Sequence, residues 1–134
     1  MKRRVKIFLG AAVIIVIISG VFLTGYLLSV QKYRTAVAQI AYTHSDALST
    51  PDGVYIGECD VQFIYAKVEV TVKDHRIADI RLLEHRHDRG IEAEGILPEM
   101  IVQQKVDVDT VAGATNSSKV LKKAVDNALS DASQ

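Results

Sequence analysis

The sequence predicts an α+β fold: a small antiparallel sheet packed with helices, preceded by one transmembrane helix. Three observations predict it. An uncharged apolar stretch opens the chain, segments that alternate polar and apolar residues come next, and segments with helical spacing come last. Strands followed by helices, without the alternation that builds parallel sheets, are typical of α+β domains. We assign residues 1–30 to a cytoplasmic flank and membrane anchor, 31–51 to a helical extension and linker, and 52–134 to the globular domain.

The apolar stretch runs from Ile7 to Val30. At about 1.5 Å per residue it is long enough to cross a hydrocarbon core of roughly 30 Å. We expect a single-pass protein of the cell membrane, with the lipid bilayer as partner, a cytoplasmic N-terminus and an extracytoplasmic C-terminal domain. A cleaved signal peptide is the alternative, because Ala36-Val37-Ala38 has the small-x-small pattern, but the long apolar stretch favours an uncleaved anchor. The orientation follows from the basic residues that precede the stretch, Lys2, Arg3, Arg4 and Lys6.

The composition excludes several classes of function. The formal net charge is zero, with 16 basic and 16 acidic residues, so we expect no nucleic acid as a partner. The single Cys59 excludes an internal disulfide and a multi-cysteine metal site. We interpret Cys59 as a small, half-buried apolar residue.

The first half of the globular part has the period of two that strands require. Lys73 to Arg76 reads as a hairpin turn centred on Asp74-His75. Before the sheet, helical spacing continues through residues 31–42, and 43–52 is a linker. We predict strands at Val54–Glu58, Val61–Val72 and Ile77–Leu83.

The second half turns helical. A charged loop, Glu84–Gly90, leads into a helix that carries Pro98 in its first turn. Residues 106–111 form a short extended approach to the last helix, Lys119–Leu129. The first of these helices should bury Leu97, Met100 and Ile101; the last should bury Val120, Leu121, Ala124, Val125, Ala128 and Leu129 and carry Lys119, Lys122 and Lys123 toward solvent.

The turn before the last helix is the strongest candidate site. Ala112-Gly113-Ala114 are small, and they open a helix where free N–H groups and the positive dipole end converge, as at anion sites. Helix capping is the alternative, in which Asn116 or Ser117 accepts from first-turn N–H groups, an effect worth about 1 kcal/mol. The residues alone leave both interpretations open.

Two further clusters contain side chains that could bind a metal or act as acids and bases. His85-Arg86-His87-Asp88 contains metal-ligand side chains, but spacing of two on a loop is weak and Arg86 would repel a cation, so we expect no metal. This leaves a solvated loop or a place beside a cofactor. Asp107 and Asp109 share a face, yet no nucleophile and base accompany them, so we expect no catalytic residue.

Residues 52–129 as a whole resemble a known family, the FMN-binding domain family. Its extracytoplasmic members are electron carriers, and it includes domains of the sodium-translocating NADH:quinone reductase and of the Rnf complex. Ala112 stands where many members have Ser, and Cys59-Asp60 replaces a commonly Gly-rich connection. The segments that carry the resemblance are Asp52–Glu58, Val68–Ile80, Glu84-His85, Ile101–Gln104, Val106-Asp107, Val111–Thr115, Ser117-Ser118 and Ala124–Leu129.

The resemblance implies FMN as the cofactor and Thr115 as its attachment point. In many members a flavin transferase joins the FMN phosphate to a threonine hydroxyl as a phosphodiester. Its target is an Asp six residues before a Thr that follows Ser or Gly and then Ala, a pattern that Asp109 and Gly113-Ala114-Thr115 fill. Asp109 is then recognised by the transferase, Gly113 and Ala114 permit close approach, and His85 is a flavin neighbour. Asn116, Ser117 and Ser118 are then expected to bind the phosphodiester.

The expected function is electron relay from a membrane donor to an extracytoplasmic acceptor, by a carrier rather than a self-contained reductase. One alternative is a non-covalent FMN-binding or structural subunit of a larger membrane redox complex. A reductase is less favoured because the sequence has no nucleotide fingerprint for NAD(P)H.

Overall fold

The structure, a computed structural model, describes residues 2–43, 49–87 and 89–132 of the 134. The chain divides into two units, Met1–Thr35 and Ala36–Gln134. The first unit consists of helix α1, which runs from Lys2 to Ala38 and so ends just inside the second. Its segment Lys6–Ala38 is long and apolar enough to cross a membrane. The hydroxyl of Thr24 donates to the carbonyl of Gly20 at 2.8 Å, so this polar group is satisfied within the helix.

The second unit is built on a three-stranded antiparallel sheet in the order β1-β2-β3. The strands are β1 Gly53–Asp60, β2 Tyr65–Lys73 and β3 Arg76–Arg86. Asp74 and His75 have φ values of 53° and 57°, as a two-residue hairpin turn with both central residues left-handed requires, so the predicted turn is confirmed. With α2 Ile96–Gln103 and α3 Thr115–Asp131 added, the α+β class is confirmed.

Three strand boundaries were predicted wrongly. β1 was predicted to end at Glu58, but it continues to Asp60, which pairs with Tyr65. β2 begins at Tyr65, because the N–H of Val61 donates to the carbonyl of Ile64 at 2.9 Å and closes a turn before the strand. β3 continues to Arg86, so the predicted charged loop is a strand over its first three residues. The charges are tolerated there because the strand pairs along an exposed sheet face, where Lys67 lies opposite Glu84.

The core lies between the sheet and α3. The inward residues of β2 are all buried, and α3 packs on β1 and β2 with all six apolar residues predicted for its inner face buried. The approach is close at Gly57, where an added Cβ would overlap the Ala124 carbonyl and the Ala128 backbone N. After β3, a 3₁₀ helix, Ile91–Gly95, leads into α2, in which Leu97 and Met100 are buried as predicted, whereas Ile101 is only half-buried.

One lysine prediction is wrong. Lys122 was expected in solvent, but the residue is only 4% exposed. Its ammonium donates to the Asp107 carboxylate at 2.7 Å and to the Val108 carbonyl at 2.8 Å. The reason is that the extended approach passes beside α3, with Val106 and Val108 buried and the two aspartates exposed.

The last residues of α1 and the segment that follows belong to the globular unit, which begins at Ala36. Val37 is buried, and the N–H of Thr43 donates to both carboxylate oxygens of Asp126 at 2.9 and 3.1 Å. Asp126 is fully buried and also pairs with Lys123 at 2.7 Å. Residues 44–48 of the predicted linker lie outside the described residues.

Candidate functional site

The turn that leads into α3 is a four-residue turn closed by one hydrogen bond, from the N–H of Ala114 to the carbonyl of Val111 at 3.0 Å. Gly113 occupies its third position with a φ of 82°, the value that a type II turn demands there. A Cβ at Gly113 would meet no atom within 4 Å. The backbone angle, rather than lack of space, therefore requires glycine at this position.

Helix α3 begins at Thr115, four residues before the predicted start. The sequence hid this first turn because its residues are polar and add nothing to the apolar period. Ala114 is the N-cap residue, and the helix start has no side-chain cap hydrogen bond. Asn116 and Ser117 lie inside the first turn, so they are not placed to cap it in the way one interpretation proposed. The helix therefore presents an N-terminus with its dipole uncompensated by a capping side chain.

The side chain of Ser118 holds this turn through two hydrogen bonds. It is fully buried, and its hydroxyl accepts from the N–H of Val111 at 3.2 Å and donates to the carbonyl of Ala114 at 2.9 Å. Ser117 is also buried, at 3% exposure. Both hydroxyls thus point into the protein, and what these residues offer an anion is the backbone of the first turn.

The surface of the turn consists of small and short residues. Ala112, Gly113, Thr115 and Asn116 are exposed, whereas Ala114 is buried. The structure therefore brings Thr115, Gly113 and Asn116 to one accessible place at the positive end of a 17-residue helix. Thr115 carries the exposed hydroxyl of this surface.

The two aspartates of the approach have different surroundings, although both are exposed. Asp107 is held by Lys122, as described above. Asp109 lies two residues closer to the turn, and its side chain stands at the surface. Of these two exposed carboxylates, Asp107 is paired with Lys122, and Asp109 is the one nearer in sequence to Thr115.

His85 lies in β3 rather than in a loop, and its side chain is only 2% exposed. Its Nδ1 is 2.9 Å from an oxygen of Glu94, which the 3₁₀ helix supplies. The ring of His87 lies 4.4 Å away, tilted by 44°. The Nε2 atom of His85 is buried and has no hydrogen-bond partner among the described residues.

Gly90 connects this histidine pair to the start of α3. Its N–H donates to Nδ1 of His87 at 3.2 Å, and a Cβ at Gly90 would overlap the side chain of Ser117. Gly90 thus connects His87 to the first turn of α3, and His85 is connected to it through the ring of His87, although the sequence places both histidines about 30 residues before that turn. Sequence reasoning missed Glu94 and Gly90. The glycine that ends the charged run was the available signal for Gly90, but no local pattern pairs Glu94 with a histidine nine residues earlier.

The side chains of His85, His87 and Glu94 each have a ligand-type atom within 4.8 Å of the others. The prediction of no metal did not foresee this cluster, because it treated the two histidines as a loop and left Glu94 aside. Whether the cluster suits a metal depends on which ring nitrogens already form hydrogen bonds.

The residues present fit a phosphate-bearing flavin. An exposed hydroxyl stands at a helix N-terminus, where the dipole favours an anion. His85, which is connected to that helix start through His87 and Gly90, has a buried ring nitrogen without a partner among the described residues, so a polar group of a bound molecule could satisfy it. Both features are satisfied by one ligand that carries a phosphate at one end and a polar heterocycle at the other.

Comparison with known families agrees with this fit. Residues 65–130 match the family model described as the FMN-binding domain. The match begins at the first residue of β2, includes His85 and Thr115, and ends one residue before the end of α3. No curated protein matches the chain.

Proposed function

The chain belongs to the FMN-binding domain family, with FMN as its cofactor, and we propose that it is a membrane-anchored extracytoplasmic flavoprotein whose FMN is attached covalently to Thr115 and relays electrons. The observation that carries the proposal is the position of Thr115. Its side chain is exposed at the first residue of α3, behind a glycine turn and without a side-chain cap.

Attachment requires access and a place for the remaining negative charge. A transferase can reach Thr115 because Ala112, Gly113 and Asn116 around it are exposed and short. The N–H groups of the first helical turn then stabilise the phosphodiester. Asp109, exposed on the same segment, is the carboxylate that the transferase recognises, and Ser118 holds the backbone of the turn through its bonds to Val111 and Ala114.

Anchoring follows from α1. A helix that is apolar over the length of a bilayer, with a basic flank at its N-terminal end, favours a cytoplasmic start and an extracytoplasmic domain. Covalent attachment suits that location, because dissociated FMN would be lost outside the cell. The membrane helix and the covalent site thus favour the same cellular arrangement.

When bound, FMN supplies the redox chemistry, and the chain supplies position and electrostatics. Thr115 would hold the phosphate end, and His85, connected to the first turn of α3 through His87 and Gly90, would contact the ring. The electron donor is a membrane protein and the acceptor is extracytoplasmic. A carrier role is preferred to a reductase because the sequence has no nucleotide fingerprint.

The test compares the full-length chain expressed with and without a flavin transferase. We expect one covalent FMN per chain, seen as added mass in the intact protein and as in-gel fluorescence after denaturation. Thr115→Val should abolish both signals. Thr110→Val is the matched control, since Thr110 is an exposed threonine of the same segment, and it should keep both.

Covalent flavin that persists undiminished in Thr115→Val would contradict the attachment site. Flavin that is present in the native wild type but released on denaturation would favour the alternative, a non-covalent FMN-binding subunit. Orientation is checked separately, by protease accessibility of the globular unit from the outside of intact cells.

A further inference from the structure

The unpartnered Nε2 of His85 calls for a physical explanation. Buried polar atoms in folded proteins are nearly always hydrogen-bonded, because leaving one without a partner is unfavourable. The His85 side chain is 2% exposed, so bulk water does not satisfy the atom. A buried ring nitrogen of this kind, near the end of β3, can bind a partner that the described residues do not provide.

Glu94 decides which ring nitrogen is left without a partner. A carboxylate only accepts hydrogen bonds, so at 2.9 Å the Nδ1 of His85 carries the proton and donates it to Glu94. In the neutral ring, Nε2 is then a lone-pair acceptor on the far side of the imidazole. His87 is set the opposite way, because its Nδ1 accepts from the N–H of Gly90.

A metal ion does not account for this arrangement. On the Nδ1 side of His85, an ion would displace the bond to Glu94 and leave Nε2 as unpartnered as before. On the Nε2 side, Glu94 lies across the ring from the ion, and of the cluster only His87 remains as a second ligand. Zinc sites in proteins use three or four protein ligands. A single hydrogen-bond donor on an organic ligand satisfies Nε2 completely.

A series of contacts joins His85 to the start of α3, where FMN is proposed. The His85 ring lies 4.4 Å from the ring of His87, the N–H of Gly90 donates to His87, Gly90 packs against Ser117, and Ser117 is two residues from Thr115. We propose that Glu94 is a positioning residue that holds His85 so that Nε2 accepts a hydrogen bond from the imide N–H of the FMN ring. This inference rests on the proposed function, because it requires FMN on Thr115. The imide N–H is the only N–H donor on the oxidised isoalloxazine ring, which matches a lone-pair acceptor.

The experiment uses the full-length chain loaded with FMN by the transferase, after mass measurement has shown equal flavin content in every variant. The readout is the rate at which the imide proton exchanges with solvent deuterium, followed by the isotope shift of the flavin bands in resonance Raman spectra. We expect slow exchange in wild type and exchange at least about tenfold faster in His85→Gln and Glu94→Gln. Glu94→Asp keeps a carboxylate and should recover part of the protection.

Glu99→Gln is the matched control. Glu99 is on the neighbouring helix α2, and its carboxylate accepts only from the side chain of Gln103 at 2.9 Å among the contacts resolved for it. Exchange in this variant should equal that of wild type. Equal exchange in wild type, His85→Gln and Glu94→Gln, with FMN attached in all three, would overturn the inference and leave the proposed function standing.

A zinc titration tests the alternative that His85 belongs to a metal site. The Thr115→Val chain is titrated with Zn²⁺ alone, and we expect no binding that depends on His85. Micromolar binding that is lost in the His85→Gln background would overturn the inference in favour of a metal site. Absence of FMN from the wild-type chain would overturn both proposals, since Nε2 would then have no flavin to contact.

Discussion

The two ends of helix α3 are built in contrasting ways. At the N-terminal end, Thr115 and Asn116 are exposed, the helix lacks a side-chain cap, and the preceding turn depends on the left-handed Gly113. In the C-terminal two thirds, the helix is packed on β1 and β2 and tied by Asp126 to a distant segment. The difference teaches that the body of α3 carries most of the packing, whereas the exposed residues of its first turn contribute little to the core.

Among the substitutions that test this difference between the two ends of α3, Asp126→Ala should lower stability most. Asp126→Ala removes the acceptor for the Thr43 N–H and leaves Lys123 without its partner, so we expect a loss of about 3 kcal/mol of unfolding free energy. Pulse proteolysis in urea on the detergent-solubilised chain measures it. Asp131→Ala, at the exposed end of the same helix, should change stability by less than about 0.5 kcal/mol.

For the folded fraction of Asp126→Ala, FMN attachment per chain should equal that of wild type. A variant that stays fully stable yet loses attachment would reverse the assignment of roles to the two ends of α3.

The close contact at Gly57 tests the packed region from the sheet side. Gly57→Ala places a methyl group against the backbone of Ala124 and Ala128, and the overpacking should cost about 2 kcal/mol. Gly95→Ala is the control, because a Cβ there meets no atom within 4 Å. If both glycine variants unfolded at the same urea concentration, α3 would not approach β1 as closely as described.

Gly113 tests the N-terminal end of α3, where a substitution should affect FMN attachment more than stability. Gly113→Ala forces an L-residue to a φ of 82°, which costs about 1 kcal/mol, less than either change above. The attachment of FMN, measured as covalent flavin per chain after a fixed time, should fall much more than stability does. Ala112→Ser, on the same turn at an exposed position, should keep both properties.

Those parts of the structure that repeat with a regular period were predictable from the sequence. The alternation in β2 and the apolar face of α3 are read correctly because burial on one side imposes a period of 2 or 3.6 residues. The first turn of α3 was missed because polar residues carry no such period. Lys122 and His85 were misplaced because their partners belong to other segments, the approach at 106–111 in one case and the 3₁₀ helix in the other, and no periodic pattern of their own helix or strand indicates those partners.

The smallest expected effect concerns Tyr42, whose hydroxyl is buried near the packed body of α3 with no hydrogen-bond partner among the described residues. The aromatic ring lies under the Lys122 ammonium at 5.0 Å. Tyr42→Phe removes only the unpaired hydroxyl and keeps the ring, so near neutral pH we expect a change of less than about 0.5 kcal/mol.

The difference should appear only in alkali. Burial, followed by the carboxylates of Asp107 and Asp126, raises the pKa of Tyr42 from 10.0 to about 12. Between these values the unfolded chain has lost the phenol proton while the folded chain keeps it. Stability contributed by this group is therefore full below pH 10 and falls as the pH rises toward 12. Urea unfolding at a series of pH values should show a shallower alkaline decline for Tyr42→Phe than for wild type, and parallel declines would mean that the phenol ionises as readily in the folded chain as in the unfolded one.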